Sequence, residues 1–190
     1  MDDKIFSSKK WERLVSPERE EKMSVKKFFD ISSPKSDEVW ADIGCGPGYF
    51  TLPLSKKVKK VLAVDINQKM IDICKQRSER FSLFNIEFIK SESDILPIDS
   101  NLLDNILLVN VYHEFPDRSK TNLELERILK SNGKLFVIDW YSKQMDYGPP
   151  LEHRISEDIL IKELKSAGFY LVENYDIYND NYTLEFEKQS

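Results

Sequence analysis

Hydrophobic and polar positions follow two rhythms along this chain. Short, nearly unbroken apolar runs at Val39–Ile43, "KKVLAVDI", "IEFIKS", "LDNILLVNV" and "KLFVIDW" read as strands. "LDNILLVNV" is apolar at almost every position, which suits a parallel strand covered on both faces. Between these runs the apolar residues recur at helical spacing. The glycine-rich segment after Ile43 leads into a helix from about Tyr49, and Asn67 is placed to cap a helix over "QKMIDICKQRSERF". Asp117–Lys130 carries Leu123, Leu125, Ile128 and Leu129 on one face, with "SNG" at 131–133 as its stop. Ser156 opens "EDILIKELKSAG", which halts at Gly168. "FYLVENYDIYNDNYTLEFEK" then predicts two strands joined by a turn at Asn179–Asn181, an antiparallel hairpin. Strands alternating with helices and ending in a hairpin predict an α/β layered sheet with at least five parallel strands.

Ahead of that alternation, residues 1–33 are charged, with scattered apolar positions at Trp11, Leu14, Met23, Val25, Phe28 and Phe29. This fits one or two amphipathic helices, broken by Ser32, Ser33 and Pro34. At 190 residues the expectation is one domain, 1–190. It divides into an N-terminal helical segment (1–33), a core (34–140), and a connection with the C-terminal hairpin (141–190). A net charge of −5 argues against a dedicated nucleic-acid binder. The charged start "MDDKIFSSKKWERL" lacks the apolar core of a secretory signal, and no run approaches a membrane span. A cytoplasmic location without a membrane partner is expected. Two cysteines, Cys45 and Cys74, are too few for a disulfide scaffold or a cysteine-built metal site, and no metal is expected.

The chemistry concentrates in "VWADIGCGPGYF", where Gly44, Gly46 and Gly48 follow Asp42 directly after the first strand. In such a sheet, ligands bind at the carboxyl ends of the strands near the switch point. A phosphate loop needs a Lys-Ser/Thr pair after its last glycine, and Tyr49-Phe50 stands there instead. The dinucleotide fingerprint wants its third glycine three residues after the second; here it comes two after. Asp42 would oppose a pyrophosphate and suits a ligand carrying an amine or sulfonium; a tight turn with no ligand is the other reading. Asp65 ends the second strand, where an acid can accept from both ribose hydroxyls, and "SESDILPID" puts Glu92 and Ser93 at the third strand end, where an adenine edge can be read.

With these residues the chain resembles the class I S-adenosylmethionine-dependent methyltransferases. "VWADIGCGPGYF" looks like their first motif and "VLAVDIN" like their acidic ribose-binding strand end. "SESDILPI" is similar to a segment often written G-D-A-E-D-L-P-F, with Ser91 and Glu92 departing from it. "RILKSNGKLFVIDW" resembles the K-P-G-G-x-L pattern, with departures at Ser131 and Asn132. Within the class it is similar to the small ubiquinone/menaquinone-biosynthesis-type group. The resemblance implies a Rossmann-like, doubly wound, seven-stranded sheet, mostly parallel with a C-terminal antiparallel hairpin and helices on both faces. It also implies S-adenosyl-L-methionine as cofactor and S-adenosyl-L-homocysteine as product. Gly44, Gly46 and Gly48 would line the methionine and ribose side, with Cys45 a small residue among them and Asp42 near the amino group. Asp65 would hold the ribose hydroxyls, with Ile66 packing on the adenine. Glu92 would accept from the adenine amine, the Ser93 backbone would face its ring, and Asn110 would sit beside the transferred methyl.

Methyl transfer from a sulfonium is an in-line displacement that needs the acceptor positioned, water excluded, and a base where the acceptor must lose a proton. His113, with Tyr112, just past the fourth strand, is the candidate base; a packed structural histidine is the alternative. Asp139 and Tyr141 end the fifth strand on the acceptor side, and His153 and Arg154 lie beyond it. Arg154 can hold an anionic acceptor or make a salt bridge where the next helix begins. The N-terminal segment either folds over the cofactor as a lid or packs on the sheet. The expected acceptor is a small molecule, with a protein or RNA substrate as the second reading and a non-catalytic cofactor binder as the third. The [N/D]-P-P-[Y/F/W] turn of amino-methylating nucleic-acid enzymes is replaced here by "NVYH".

Overall fold

The computed structural model describes residues 8–92 and 95–189. Seven strands form one sheet: β1 (Val39–Ile43), β2 (Lys60–Asp65), β3 (Ile86–Lys90), β4 (Leu103–Val109), β5 (Leu129–Trp140), β6 (Phe169–Tyr175) and β7 (Asn181–Lys188). Their order is β3-β2-β1-β4-β5-β7-β6. β3, β2, β1, β4 and β5 pair in parallel, and β7 pairs antiparallel with both β5 and β6. The chain winds outward from β1 in both directions, so the switch point falls between β1 and β4.

The continuous apolar runs follow from burial on both faces. Ile106 and Leu108 of β4, with Leu135 and Val137 of β5, enter one core; Leu107, Phe136 and Ile138 enter the other. The first core is closed by Leu125 and Ile128 of α5 (Arg118–Ile128) and by Leu160 and Leu164 of α6 (Glu157–Ser166). In the second core Trp40 stacks on Phe136 with centroids 5.7 Å apart. Phe28 of α2 (Val25–Ser32) meets Trp40, Phe50 and Phe136 edge-on. Three further helical segments complete the chain: α1 (Pro17–Lys22), α3 (Thr51–Ser55) and α4 (Gln68–Arg80). Asn67 caps α4 by accepting from Lys69 N.

Two boundaries differ from the sequence reading. α3 begins at Thr51 rather than Tyr49, because the glycine loop takes the intervening residues as turns. α5 ends at Ile128, and the "SNG" stop lies inside β5, where Asn132 takes φ +59° across a register shift between β4 and β5. The helix needs no glycine stop because other groups take its last carbonyls. Lys188 Nζ donates to Glu126 O at 2.7 Å and Leu129 O at 2.9 Å, while Asn101 N and Leu102 N bond Arg127 O and Ile128 O. Among the described residues no helix is long and apolar enough to cross a membrane.

The N-terminal region forms a 3₁₀ stretch (Ser8–Val15) followed by α1 and α2. It lies against the glycine loop and the connection into β7. Leu14 Cδ1 is 3.8 Å from where a Gly46 Cβ would stand. The Tyr178 hydroxyl donates to Ser24 O, and Lys22 Nζ sits 3.4 Å from the Tyr147 ring centre.

Candidate cofactor and acceptor site

The loop after β1 runs at positive φ through Gly44 (+77°), Gly46 (+52°) and Gly48 (+83°), the region that side chains disfavour. The three positions differ in what surrounds them. A Cβ on Gly44 would lie 2.5 Å from Val111 Cγ2, and one on Gly48 2.4 Å from Leu52 Cδ1 and 2.5 Å from Cys74 Sγ. These two glycines are required by packing. At Gly46 the nearest atom, Leu14 Cδ1, is 3.8 Å away, so a side chain there would fill open space beside the loop. That opening lets backbone approach a ligand.

Asp65, at the end of β2, latches this loop. Its Oδ2 accepts from Gly46 N at 2.9 Å and its Oδ1 from Asn67 N at 2.8 Å. Each oxygen keeps further acceptor capacity for a hydroxyl donor. Burial pushes the Asp65 carboxyl above its ordinary value, with the bonds from Asn67 and Gly46 opposing it. Ile66, next in the chain, is 43% exposed, a large apolar side chain left open at the strand end. Glu92, past the end of β3, is exposed and bridges to Ile95; Ser93 lies outside the described residues. Ser91 N bonds Asp65 O, which holds the β2 and β3 ends together.

Asp42 is buried below the loop and pushed up to about 6, by burial first; Thr51 Oγ1 opposes the rise by donating to Asp42 Oδ2 at 2.5 Å. Cys45 is buried within the loop, its Sγ 3.6 Å from Gly46 O. The donor set fits a ligand with ribose hydroxyls, an adenine face and a cationic amine: an open glycine, acceptor carboxylates at two strand ends and an exposed isoleucine.

On the other side of the switch point, Asn110 follows β4 at φ +55°, its Oδ1 accepting from Asn181 Nδ2 at 2.7 Å. His113 is buried, with Nδ1 2.8 Å from Asp139 Oδ1. Asp139 also accepts from the backbone N–H groups of His113 (3.2 Å) and Trp140 (2.8 Å). A carboxylate facing Nδ1 favours the tautomer that carries the proton there. Asp139 is itself buried and held by these bonds rather than open on the acceptor side.

Two further expectations are corrected. Tyr112 is wholly buried in the α5/α6 core, its hydroxyl bonded to Glu163 Oε2 (2.9 Å) and Asn122 Nδ2 (3.0 Å). The 3₁₀ turn Tyr112–Glu114 sends it away from the site, and its part is structural. Arg154 is buried and, among the described residues, makes no salt bridge where the next helix begins, its donors being taken by backbone. Its guanidinium donates to the carbonyls of Pro149, Tyr141, Lys143 and Tyr147, which holds the 141–150 loop from within. Tyr141 meets Tyr182 edge-on with centroids 6.0 Å apart, and His153 is half-buried in a 3₁₀ turn.

Thr51 and Asn181, which bond Asp42 and Asn110, are neighbours of these residues that sequence reasoning missed. Thr51 carries a faint signal, a hydroxyl in the first turn after the glycine loop. Asn181 arrives from a distant segment and carries none.

The family described as a methyltransferase domain matches residues 41–137, from β1 into β5. A ubiquinone/menaquinone biosynthesis C-methyltransferase UbiE from Wigglesworthia glossinidia brevipalpis is 28% identical over 57% of this chain and 45% of its own length. A protein of the same name from Rickettsia typhi is 29% identical over 80% of this chain and 67% of its own. The chain thus spans less than half the length of the first of these relatives. A crystal structure of a SAM-dependent methyltransferase from Aquifex aeolicus superposes with a TM-score of 0.91 at 28% identity, covering 97% of this chain and 100% of that one.

Proposed function

The chain belongs to the methyltransferase-domain family, within the class I S-adenosylmethionine-dependent methyltransferases, and from that premise we propose that it methylates a small-molecule acceptor lying over the carboxyl ends of β4 and β5. The observation that carries the proposal is the glycine loop latched to Asp65, with Gly46 open and the bonded pair His113–Asp139 at the carboxyl ends of β4 and β5, on the other side of the switch point.

When bound, S-adenosylmethionine supplies an electrophilic methyl group and a neutral thioether leaving group. The chain's own residues do the rest. Asp65 accepts from the ribose hydroxyls, Ile66 packs on the adenine face and Glu92 accepts from its exocyclic amine. Asp42 faces the ammonium, and Asn110, fixed by Asn181, borders the methyl. His113 takes the proton from the acceptor's O–H, N–H or activated C–H as the new bond to carbon forms. Asp139 steadies the resulting imidazolium. The N-terminal segment, with Leu14 over Gly46, acts as a lid that keeps water from the donor.

Two relatives named for C-methylation in quinone biosynthesis support a small acceptor. Calorimetry with S-adenosylhomocysteine, followed by transfer of a labelled methyl into metabolite, protein and RNA pools, tests the proposal. Label in the metabolite pool is expected. Label confined to protein or RNA would overturn the acceptor class, and absence of binding would overturn the whole reading. His113→Gln should lower turnover about a hundredfold or more while keeping homocysteine-product affinity; wild-type turnover would remove His113 from the chemistry.

A further inference from the structure

Arg19, in α1, is a half-buried cation that makes no ion pair among the described residues. Among the described residues its Nε is buried with no hydrogen-bond partner, and its Nη2 reaches only the Met23 thioether at 3.6 Å. The guanidinium lies over the Tyr49 ring, 5.0 Å from its centre. The nearby carboxylates are engaged elsewhere: Glu20 Oε2 lies 2.5 Å from the Tyr49 hydroxyl, and Asp42 Oδ2 takes the Thr51 hydroxyl. Burial pushes the guanidinium below its ordinary value, while Tyr49, Tyr178 and Asp42 pull it back up. An arginine does not shed its proton in a protein, so the charge stays, and its buried Nε has no acceptor among the described residues. A guanidinium held in this way is placed to take an anion from outside the chain.

Its position says which anion. Tyr49, beneath the guanidinium, directly follows Gly48, and Leu14, five residues before Arg19 in the chain, overhangs Gly46. Arg19 therefore stands beside the glycine loop, close enough for the Asp42 carboxyl to act on it. The cofactor carries one anionic group, the α-carboxylate of its methionine part, next to the ammonium. We propose that Arg19 binds this carboxylate while Asp42 faces the ammonium, so that two opposite charges read the amino-acid end of the cofactor and tie α1 down over it. The proposal rests on the cofactor reading above and adds a residue from outside the sheet, supplied by the N-terminal segment.

The test compares S-adenosylhomocysteine with its decarboxylated analogue, S-adenosyl-3-thiopropylamine, by calorimetry on the full chain. Wild type should prefer the carboxylate-bearing ligand at least tenfold. Arg19→Gln should weaken S-adenosylhomocysteine by a similar factor and bind the two ligands alike, and Arg19→Lys should keep part of the preference. Without ligand, Arg19→Gln should withstand urea at least as well as wild type, because it removes a partly buried charge that makes no ion pair among the described residues. A preference preserved in Arg19→Gln overturns the assignment. So does equal binding of both ligands by wild type, and turnover lost in Arg19→Gln alongside such equal binding would put the guanidinium on an anionic acceptor instead. Wild type binding neither ligand would refute the cofactor reading itself.

Discussion

Asp42 offers a measurable trade between stability and ligand binding. Its carboxyl is pushed from 3.8 up to about 6, chiefly by burial, with the Thr51 hydroxyl working against the rise. A raised carboxyl means that the folded state binds its proton more tightly than the unfolded state does. Folding is unpenalised below about 3.8, where both states hold the proton, and the penalty is complete once the pH has risen through about 6. The rise from 3.8 to about 6 corresponds to about 3 kcal/mol at pH 8. By the same linkage, roughly half of that applies at pH 5. Asp42→Asn removes the charge and still accepts from Thr51, while its new N–H donors cost about 1–2 kcal/mol if they find no acceptor. That cost does not depend on pH, so the difference between variant and wild type isolates the titration. Urea melts at pH 5 and pH 8 should show the stability of Asp42→Asn relative to wild type improving by about 1–2 kcal/mol across that range. The same variant should lose the ammonium contact and bind S-adenosylhomocysteine more weakly. A difference that does not change with pH would refute the argument that a buried charge beneath the glycine loop is maintained against the fold's preference.

Other substitutions separate packing from ligand space. Gly48→Ala places a Cβ 2.4 Å from Leu52 Cδ1 at φ +83° and should cost about 2–5 kcal/mol in urea melts. Gly46→Ala meets no such neighbour and should cost only about 1–2 kcal/mol of left-handed strain, yet it should abolish S-adenosylhomocysteine binding in calorimetry. Arg154→Met should destabilise by about 2 kcal/mol or more and speed proteolysis within 141–150, with S-adenosylhomocysteine affinity kept; an unchanged cleavage rate would deny Arg154 its loop-holding part. The Cys45 thiol is raised well above its ordinary value by a hydrogen bond with Cys74 and by burial. Iodoacetamide at pH 8 should therefore leave both buried cysteines intact in the folded protein and modify both in urea.

The strands and their order of use were legible because each is a contiguous apolar run, and the sheet buries both faces of its central members. The bed beneath the loop was legible for a related reason. It is built of backbone, and backbone at positive φ leaves a local signature in glycine. Reading failed where one side chain reaches across the fold. Lys188 ends α5 from a strand about 60 residues away, so the glycine stop that local reasoning looks for at 131–133 is not needed. Tyr112 and His113 are adjacent in sequence, but a 3₁₀ turn sends one into the core and the other toward Asp139, 26 residues on. No pattern of residue types marks which of two neighbours turns which way.

The same physics separates the two halves of the site. The cofactor half is drawn from consecutive strand ends and depends on main-chain geometry, so substitutions there act on folding and binding together. The acceptor half is assembled from β4, β5, β7 and the 141–150 loop, joined by side-chain bonds such as Asn110–Asn181, 71 residues apart. One guanidinium bonded to four carbonyls in and beside that loop holds it from within, and Tyr147 against Trp140 ties it to the end of β5. Under the proposed function, changes in the loop that spare Arg154 and Tyr147 should alter acceptor preference while leaving S-adenosylhomocysteine affinity unchanged, because the glycine bed is built from other strand ends.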